Sequence, residues 1–414
     1  MRRLYLAGAL VLAALVPTVL ARQAAAPATG PYKVLTKAKV GGEGGWDYIY
    51  ADSVGRRLYI PRSAGRGVPA TDATPAAPAP VSRITIFDLD TIAPVGEIPD
   101  TGGQGVAVCP KSGHGFSSSR QVSMFDTKTM TLMKKIDVGA AQPDGIYCDT
   151  FNSRVYVFSH GTKDATVIDA NDGTVLGTVD LGGVPEQGVA DGKGMLYVVM
   201  QDRIGSVTAV DVKTMKAVAH YSLVDKGSCN GLALDVKNHV LFAECGQSGV
   251  SPAPPAPPAP QPGQPPAPPP GRGGGQPGTP AQPMMVILSA VDGKILTSLP
   301  LAGGSDGAVF NPSTMEAFST GGNGTLTIVK ENSPTSFEVE QILQTMNGAR
   351  TITFDSKTNH ILTMAQEYAP PPPPPPPSAT PPATPPAGPP AFGGRGGGRG
   401  TVIPGSFTIL VVGK

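Results

Sequence analysis

The chain has 414 residues, a formal net charge of +1 and only 15% charged residues. Such a near-neutral balance lacks the basic excess that nucleic acid or an anionic membrane surface would require, so neither is expected as a partner. The 53 glycines and 46 prolines cluster in a few patches, which leaves the remainder free to form an ordinary globular core.

At the N-terminus, Arg2 and Arg3 precede an apolar stretch from Leu4 to Leu20 that Pro17 interrupts. Small residues follow at Val19 and Ala21, and again at Ala24, Ala25 and Ala26, before a Pro/Ala-rich linker. This is the layout of a secretory signal, so residues 1–26 are expected to be signal and leader. No cysteine stands at either cleavage position, which argues against a lipoprotein anchor. No later stretch reaches the roughly eighteen uninterrupted apolar residues of a membrane-spanning helix. The mature chain is expected to lack a transmembrane segment and to be periplasmic or secreted.

From Tyr32 onward one unit recurs seven times. Each unit opens on a polar residue followed by a short apolar run, at Asp47, Gln104, Asp144, Gln187, Asn230, Asp306 and Arg350. An Asp/Asn/Gly/Lys-rich turn leads to a second strand, as at Arg57 (RLYIP), Arg154 (RVYVF) and Val240 (VLFAE). A third strand follows (RITIFD, QVSMFD, SVTAVD), then a fourth that carries the chain outward (LMKKIDV, VLGTVDL). Short β-branched runs between turn residues read as strands, and four strands per unit at a period of ~40–45 residues is the spacing of a propeller blade. The seventh unit stops after its third strand, Phe407 to Val412, and Tyr32 to Val40 resembles the missing outer strand. Residues 32–414 are therefore expected to form an all-β, seven-bladed propeller of four-stranded blades, its last blade closed by the N-terminal strand.

Units such as Asp144-Gly-Ile-Tyr, Arg154-Val-Tyr-Val-Phe and Val167-Ile-Asp-Ala resemble the YVTN-repeat propellers, specifically the YncE-like exported proteins. The resemblance covers essentially all of Tyr32 to Lys414 outside three Pro-rich patches. It implies a binding protein and supplies no catalytic motif.

Those patches, residues 63–80, 246–283 and 367–404, each fall between the second and third strands of a blade, in units one, five and seven. Strand alternation sends all three out on one face, the face that carries the loops leading into the innermost strands. They read either as tolerated loop insertions or as proline-rich arms for attachment or for a partner.

None of the four cysteines forms C-x-x-C or C-x-x-C-H. A hairpin turning near Lys237 and Asn238 places Cys229 and Cys245 opposite each other or one step off, where Cα separations of about 4.5–5.5 Å lie in disulfide range. Cys109 and Cys148 stand at non-equivalent positions of neighbouring inner strands and are expected to remain buried thiols.

The seven openers form the candidate site, because that position rings the mouth of the central channel. Asp47, Gln104, Asp144, Gln187, Asn230, Asp306 and Arg350 are all polar, with three carboxylates facing one arginine. Asp47, Asp144, Asn230 and Asp306 suit a hard cation such as calcium, and Arg350 a polar ligand. The plainer reading is a wet, polar mouth of the kind most propellers have. Trp46 is an aromatic wall for the site or a packed loop residue. His114, His239 and His360 fall in turns on the opposite face, and only His160 or His220 can approach the mouth. Gly303 to Gly307 matches G-x-S-x-G but lies between strands, without the strand-to-helix elbow that motif needs.

The expected function is binding of a small polar ligand, a metal ion or an envelope protein at the mouth by a monomer, without catalysis. The alternative is a metal-assisted, lactonase-like hydrolase, since calcium-dependent lactonase propellers also place Asp, Asn and Glu around the channel mouth.

Overall fold

The computed structural model describes residues 29–64, 81–202, 204–223, 226–246, 282–304, 306–370 and 401–414. These residues form seven four-stranded antiparallel sheets in a ring, a seven-bladed β-propeller. In blades one to six the strands follow chain order from the inside outward. Blade seven takes Ile352–Asp355, His360–Ala365 and Thr408–Gly413 from the C-terminal part and Lys33–Lys39 as its outer strand, paired from Lys33 opposite Gly413 to Lys39 opposite Thr408 with a shift of register between Val34 and Thr36. The closure is fixed from both ends. Tyr32 exchanges backbone bonds with the Gln341 amide at 3.0 and 2.9 Å, its hydroxyl donates to Glu316, and Lys414 Nζ reaches the other oxygen of Glu316 at 2.9 Å.

The alternating sequence explains why seven sheets must stack. The middle strands of a blade bury both faces, so each blade needs a neighbour on either side. Phe116, Val122 and Met124 of blade two meet Val155, Val157 and Ile168 of blade three. Ile49, Leu58 and Ile60 of blade one meet Leu362, Met364 and Ile409 of blade seven. The other seams are built alike. Fully burying one such side chain is worth roughly 1.5–3 kcal/mol, so an open ring would forfeit a whole seam.

Turn chemistry sets the strand ends. Third strands close on Asp88, Asp126, Asp169 and Asp211, and each carboxylate caps an amide two residues on, at 2.8–3.0 Å. Four residues after each of them the chain turns left-handed, at Ile92, Met130, Gly173 and Met215, with φ between 53° and 73°. The outer strand pairs carry a bulge in every blade, which adds twist to the exposed edges.

All three insertions leave between second and third strands, from Arg62 opposite Arg83, Cys245 opposite Met284 and Ala365 opposite Thr408. Their central parts, 65–80, 247–281 and 371–400, lie outside the described residues, as does the expected signal. The root of the third is structured: Tyr368 bridges Val402, and Ala369 and Ile403 donate to Thr401 and Glu367 at 2.8 and 2.9 Å.

Two disulfides are present. Cys229 and Cys245 are direct partners in blade five, with Cα atoms 4.0 Å apart. Cys109 and Cys148 are also bonded, with Cα atoms 5.7 Å apart, which corrects the expectation of thiols. They sit one position apart along their strands, and the offset between inner strands of adjacent blades brings them together.

Candidate functional site

The mouth is built where first strands begin and second strands end, on the insertion-bearing face. Backbone bonds tie these points blade by blade: Ser63 to Gly45, His160 to Gln142, Gln201 to Val184, Gly246 to Ser228 and Gly322 to Gly304, at 2.7–3.1 Å.

Strand register defines which residues share a level. Val106, Ile146, Gly188, Leu232, Ala308 and Ile352 lie opposite Ser117, Val157, Val198, Ala243, Ser319 and Thr363, which are equivalent positions of the second strands. Two residues earlier stand Gln104, Asp144, Glu186, Asn230, Asp306 and Arg350, with Asp47 in blade one. Blade four therefore contributes Glu186 to this ring, where the sequence pointed to Gln187. Aligning on glycine displaced that unit by one residue. Pro143 and Pro185, opposite Ser159 and Met200, carry the correct match.

The next level down reads Tyr48, Gly105, Gly145, Gln187, Gly231, Gly307 and Thr351. Glycines leave room for two long side chains to cross the channel. A Cβ on Gly145 would come within 2.8 Å of the Glu186 carbonyl oxygen, so no side chain fits there. Gln187 reaches over to blades five and six, donating to Ala308 O at 2.9 Å and accepting from the amides of Leu232 and Ala308 at 3.0 Å. The Tyr48 hydroxyl donates to Glu186 Oε2 at 2.6 Å. Beneath these two lies a cavity of about 510 Å³, with Ile49, Val106, Ile146 and Ile352 among its walls. The mouth is thus a polar bowl with a floor.

Its two halves differ. In blades three and four, His160 Nε2 lies 2.9 Å from Asp144 Oδ2 and 3.6 Å from Glu186 Oε1. Gln201, at the position equivalent to His160, donates to Glu186 Oε1. Glu186 is 4% exposed. Burial first, then the Asp144 charge, pushes its carboxyl well above the usual range, and the hydrogen bond from Tyr48 pulls the other way. Burial, with Glu186 and Asp144, pushes Tyr48 up as well, so the phenol keeps its proton and remains a donor. In blades five to seven, Arg350 Nη1 binds Asp306 Oδ2 at 2.7 Å, and Asn230 Nδ2 donates to Asp306 Oδ1 at 3.2 Å. Burial opposes the Arg350 charge, but Asp306 and Asp47 outweigh it and hold that guanidinium above its ordinary value.

The structure therefore divides the expected cation set. Asp144 joins His160 and Glu186, whereas Asn230 and Asp306 are bonded to each other and to Arg350. Asp47 stands between the halves and acts electrostatically on Glu186, Tyr48 and Arg350. Gln104 is exposed and serves through its backbone, which accepts from Tyr48 N at 2.9 Å. Trp46 packs edge-on to Phe407, centroids 4.7 Å apart, beside the buried Arg62 guanidinium, so it belongs to the seam between blades seven and one. His220, on the outer strand of blade four, bonds Thr208 of the third strand, away from the mouth. Ser305, centre of the G-x-S-x-G match, lies outside the described residues, and the segment leads into a strand, Ala308–Asn311. Among the described residues no helix is long and apolar enough to cross a membrane.

Solved structures share this architecture. The WD40 repeats of RRP9 superpose with a TM-score of 0.59 at 8% identity, covering 94% of this chain and 98% of that one. A chain of the mitotic checkpoint complex gives 0.57 at 11%, covering 87% and 95%. One from the hydrazine synthase of Kuenenia stuttgartiensis gives 0.57 at 13%, covering 79% and 92%. At such identities the likeness is one of fold, that of WD40-like propellers. No family model and no curated protein matches the sequence.

Proposed function

We propose that this protein is an exported, monomeric binding propeller of the YncE-like, YVTN-repeat kind that takes a small polar, positively charged ligand or a metal ion at its channel mouth. Export rests on the leader at residues 1–26. The observation that carries the reading is Glu186: a carboxylate 4% exposed, set among Asp144 and Asp47 in a bowl floored by Tyr48 and Gln187. Carboxylates concentrated at a buried point, with one arginine held across the mouth by Asp306, favour positive charge at the ligand. The proline-rich insertions leave from the same rim and suit an envelope protein as a further partner.

Native mass spectrometry of protein from the periplasm or medium, with and without chelator, tests this directly. A bound mass is expected, as is a rise in Tm with polar cationic compounds that Glu186→Gln and Asp144→Asn abolish. Absence of both in wild-type protein ends the reading. A lactonase-like hydrolase is the second reading, favoured by His160 standing beside two carboxylates, an acid–base group where a hydrolytic water would need one. Lactone turnover lost in His160→Ala would establish it.

A further inference from the structure

We infer that Asp144, His160 and Glu186 form a binding site for a first-row divalent metal ion of the Zn²⁺ type, an inference that rests on the mouth-binding reading and names its ligand. Three donors from three different chain segments converge: Asp144 opens the first strand of blade three, His160 follows the second strand of the same blade, and Glu186 opens blade four. One atom of each lies within 4.8 Å of the other two. A tetrahedral ion with bonds near 2.0–2.1 Å holds its ligand atoms about 3.3 Å apart. The observed 2.9 Å from His160 to Asp144 and 3.6 Å from His160 to Glu186 straddle that value.

A hydrogen-bonded histidine does not account for this geometry. His160 Nε2 is buried and, although 2.9 Å from a carboxylate oxygen, aligns with no hydrogen-bond acceptor or donor. A ring nitrogen beside two carboxylates with its bonding direction unused is the arrangement a metal ion satisfies. The surroundings fit as well. Metal-ligating carboxylates are themselves hydrogen-bonded, and Glu186 receives Tyr48 on one oxygen and Gln201 on the other. Backbone bonding of His160 N to Gln142 O at 3.1 Å fixes the segment that delivers the imidazole.

The donor set selects the ion. Calcium takes six to eight oxygens, roughly speaking, and gains little from imidazole, whereas one nitrogen and two carboxylates suit zinc and its neighbours. Asn230 and Asp306, which calcium would need, already bind each other, and Asp306 binds Arg350. Three protein ligands would leave one position of a four-coordinate ion open, which a small anionic or hydroxylated molecule would complete.

Chelator-treated full-length protein should be titrated by calorimetry with Zn²⁺ alone and with Ca²⁺ alone, following Tm in parallel. One Zn²⁺ per chain is expected, with an absorption-edge spectrum showing one nitrogen and oxygens at about 2.0–2.2 Å. His160→Ala should weaken Zn²⁺ at least about 100-fold and Tyr48→Phe by about 10–100-fold. His114→Ala, on the opposite face, should bind as wild type, and His160→Gln checks that any loss is not misfolding. No Zn²⁺ uptake by folded wild-type protein overturns the inference. So does uptake unchanged in His160→Ala, or Ca²⁺ binding as tight as Zn²⁺. If Zn²⁺ is not taken up while polar cationic compounds still raise Tm in a Glu186-dependent manner, the metal inference falls and the mouth-binding reading survives. If neither occurs, both fall.

Discussion

The two halves of the channel mouth use equivalent backbone positions to opposite ends. In blades five to seven the carboxylate Asp306 is neutralised by Arg350 and held by Asn230, so that half is internally satisfied. In blades three and four, Asp144 and Glu186 face one histidine, and the carboxyl of Glu186 is pushed up by burial and by its neighbours. The contrast shows how a repeat can vary its chemistry at constant geometry: one half of the ring is internally neutralised, and the other gathers two carboxylates around one histidine. Each half also has its own disulfide. Cys109–Cys148 joins blades two and three, and Cys229–Cys245 stays within one hairpin of blade five beside Asn230.

The disulfides should give the largest effects. Sequence separations of 39 and 16 correspond to losses of about 4 and about 3 kcal/mol on replacing each pair by alanine, from chain entropy. Urea unfolding of the two double variants checks the order, and a larger loss at Cys229–Cys245 would reverse the comparison. Next, Asp306→Ala should destabilise. Stranding a buried cation costs about 3–5 kcal/mol, but Arg350 and Asp306 are 27% and 19% exposed, so solvent lowers the expectation to about 1–3 kcal/mol. Glu186→Gln, in the other half, should be neutral or stabilising by on the order of 0.5 kcal/mol in chelated protein, because it relieves like-charge repulsion while Tyr48 keeps an acceptor. Equal losses from these two substitutions would erase the distinction between the halves.

A reference prediction lies away from the mouth. Glu331 is raised to about 7 by burial, with Asp235 adding to it and the Asn238 amide opposing. Its folded-state value exceeds the unfolded one, so its contribution is fully present below the unfolded pKa of about 4.3 and is lost as pH rises through about 7. Glu331→Gln should flatten the stability–pH curve between those values, measured by denaturant midpoint. An unchanged curve would show that this carboxyl is not the group responsible.

Much of this protein was legible from its residues. Alternating apolar runs and Asp- and Gly-rich turns defined strands because those signals are local: side-chain periodicity and left-handed turns are fixed within a few residues. Repetition then gave seven blades, and the polar openers marked the mouth. Glu186 was missed because blade four has Gln187 where the other blades with a glycine after the opener have that glycine. Its own glycine comes one position later, at Gly188, so matching glycines shifts the opener by one. Blades three and four carry the same bulge, and a one-residue slip changes which side chain faces the channel. His160 was recognised as near the mouth, but not its convergence with Glu186 of the next blade. Cys109 and Cys148 could not be paired from a hairpin rule, since they lie on inner strands of different blades. The sequence by itself thus determined the blade, its turns and the face that bears the insertions. Only the tertiary structure decided which ring residues neutralise one another and which converge with His160. Those contacts cross between blades, and their distances depend on how the seams pack, not on any spacing along the chain.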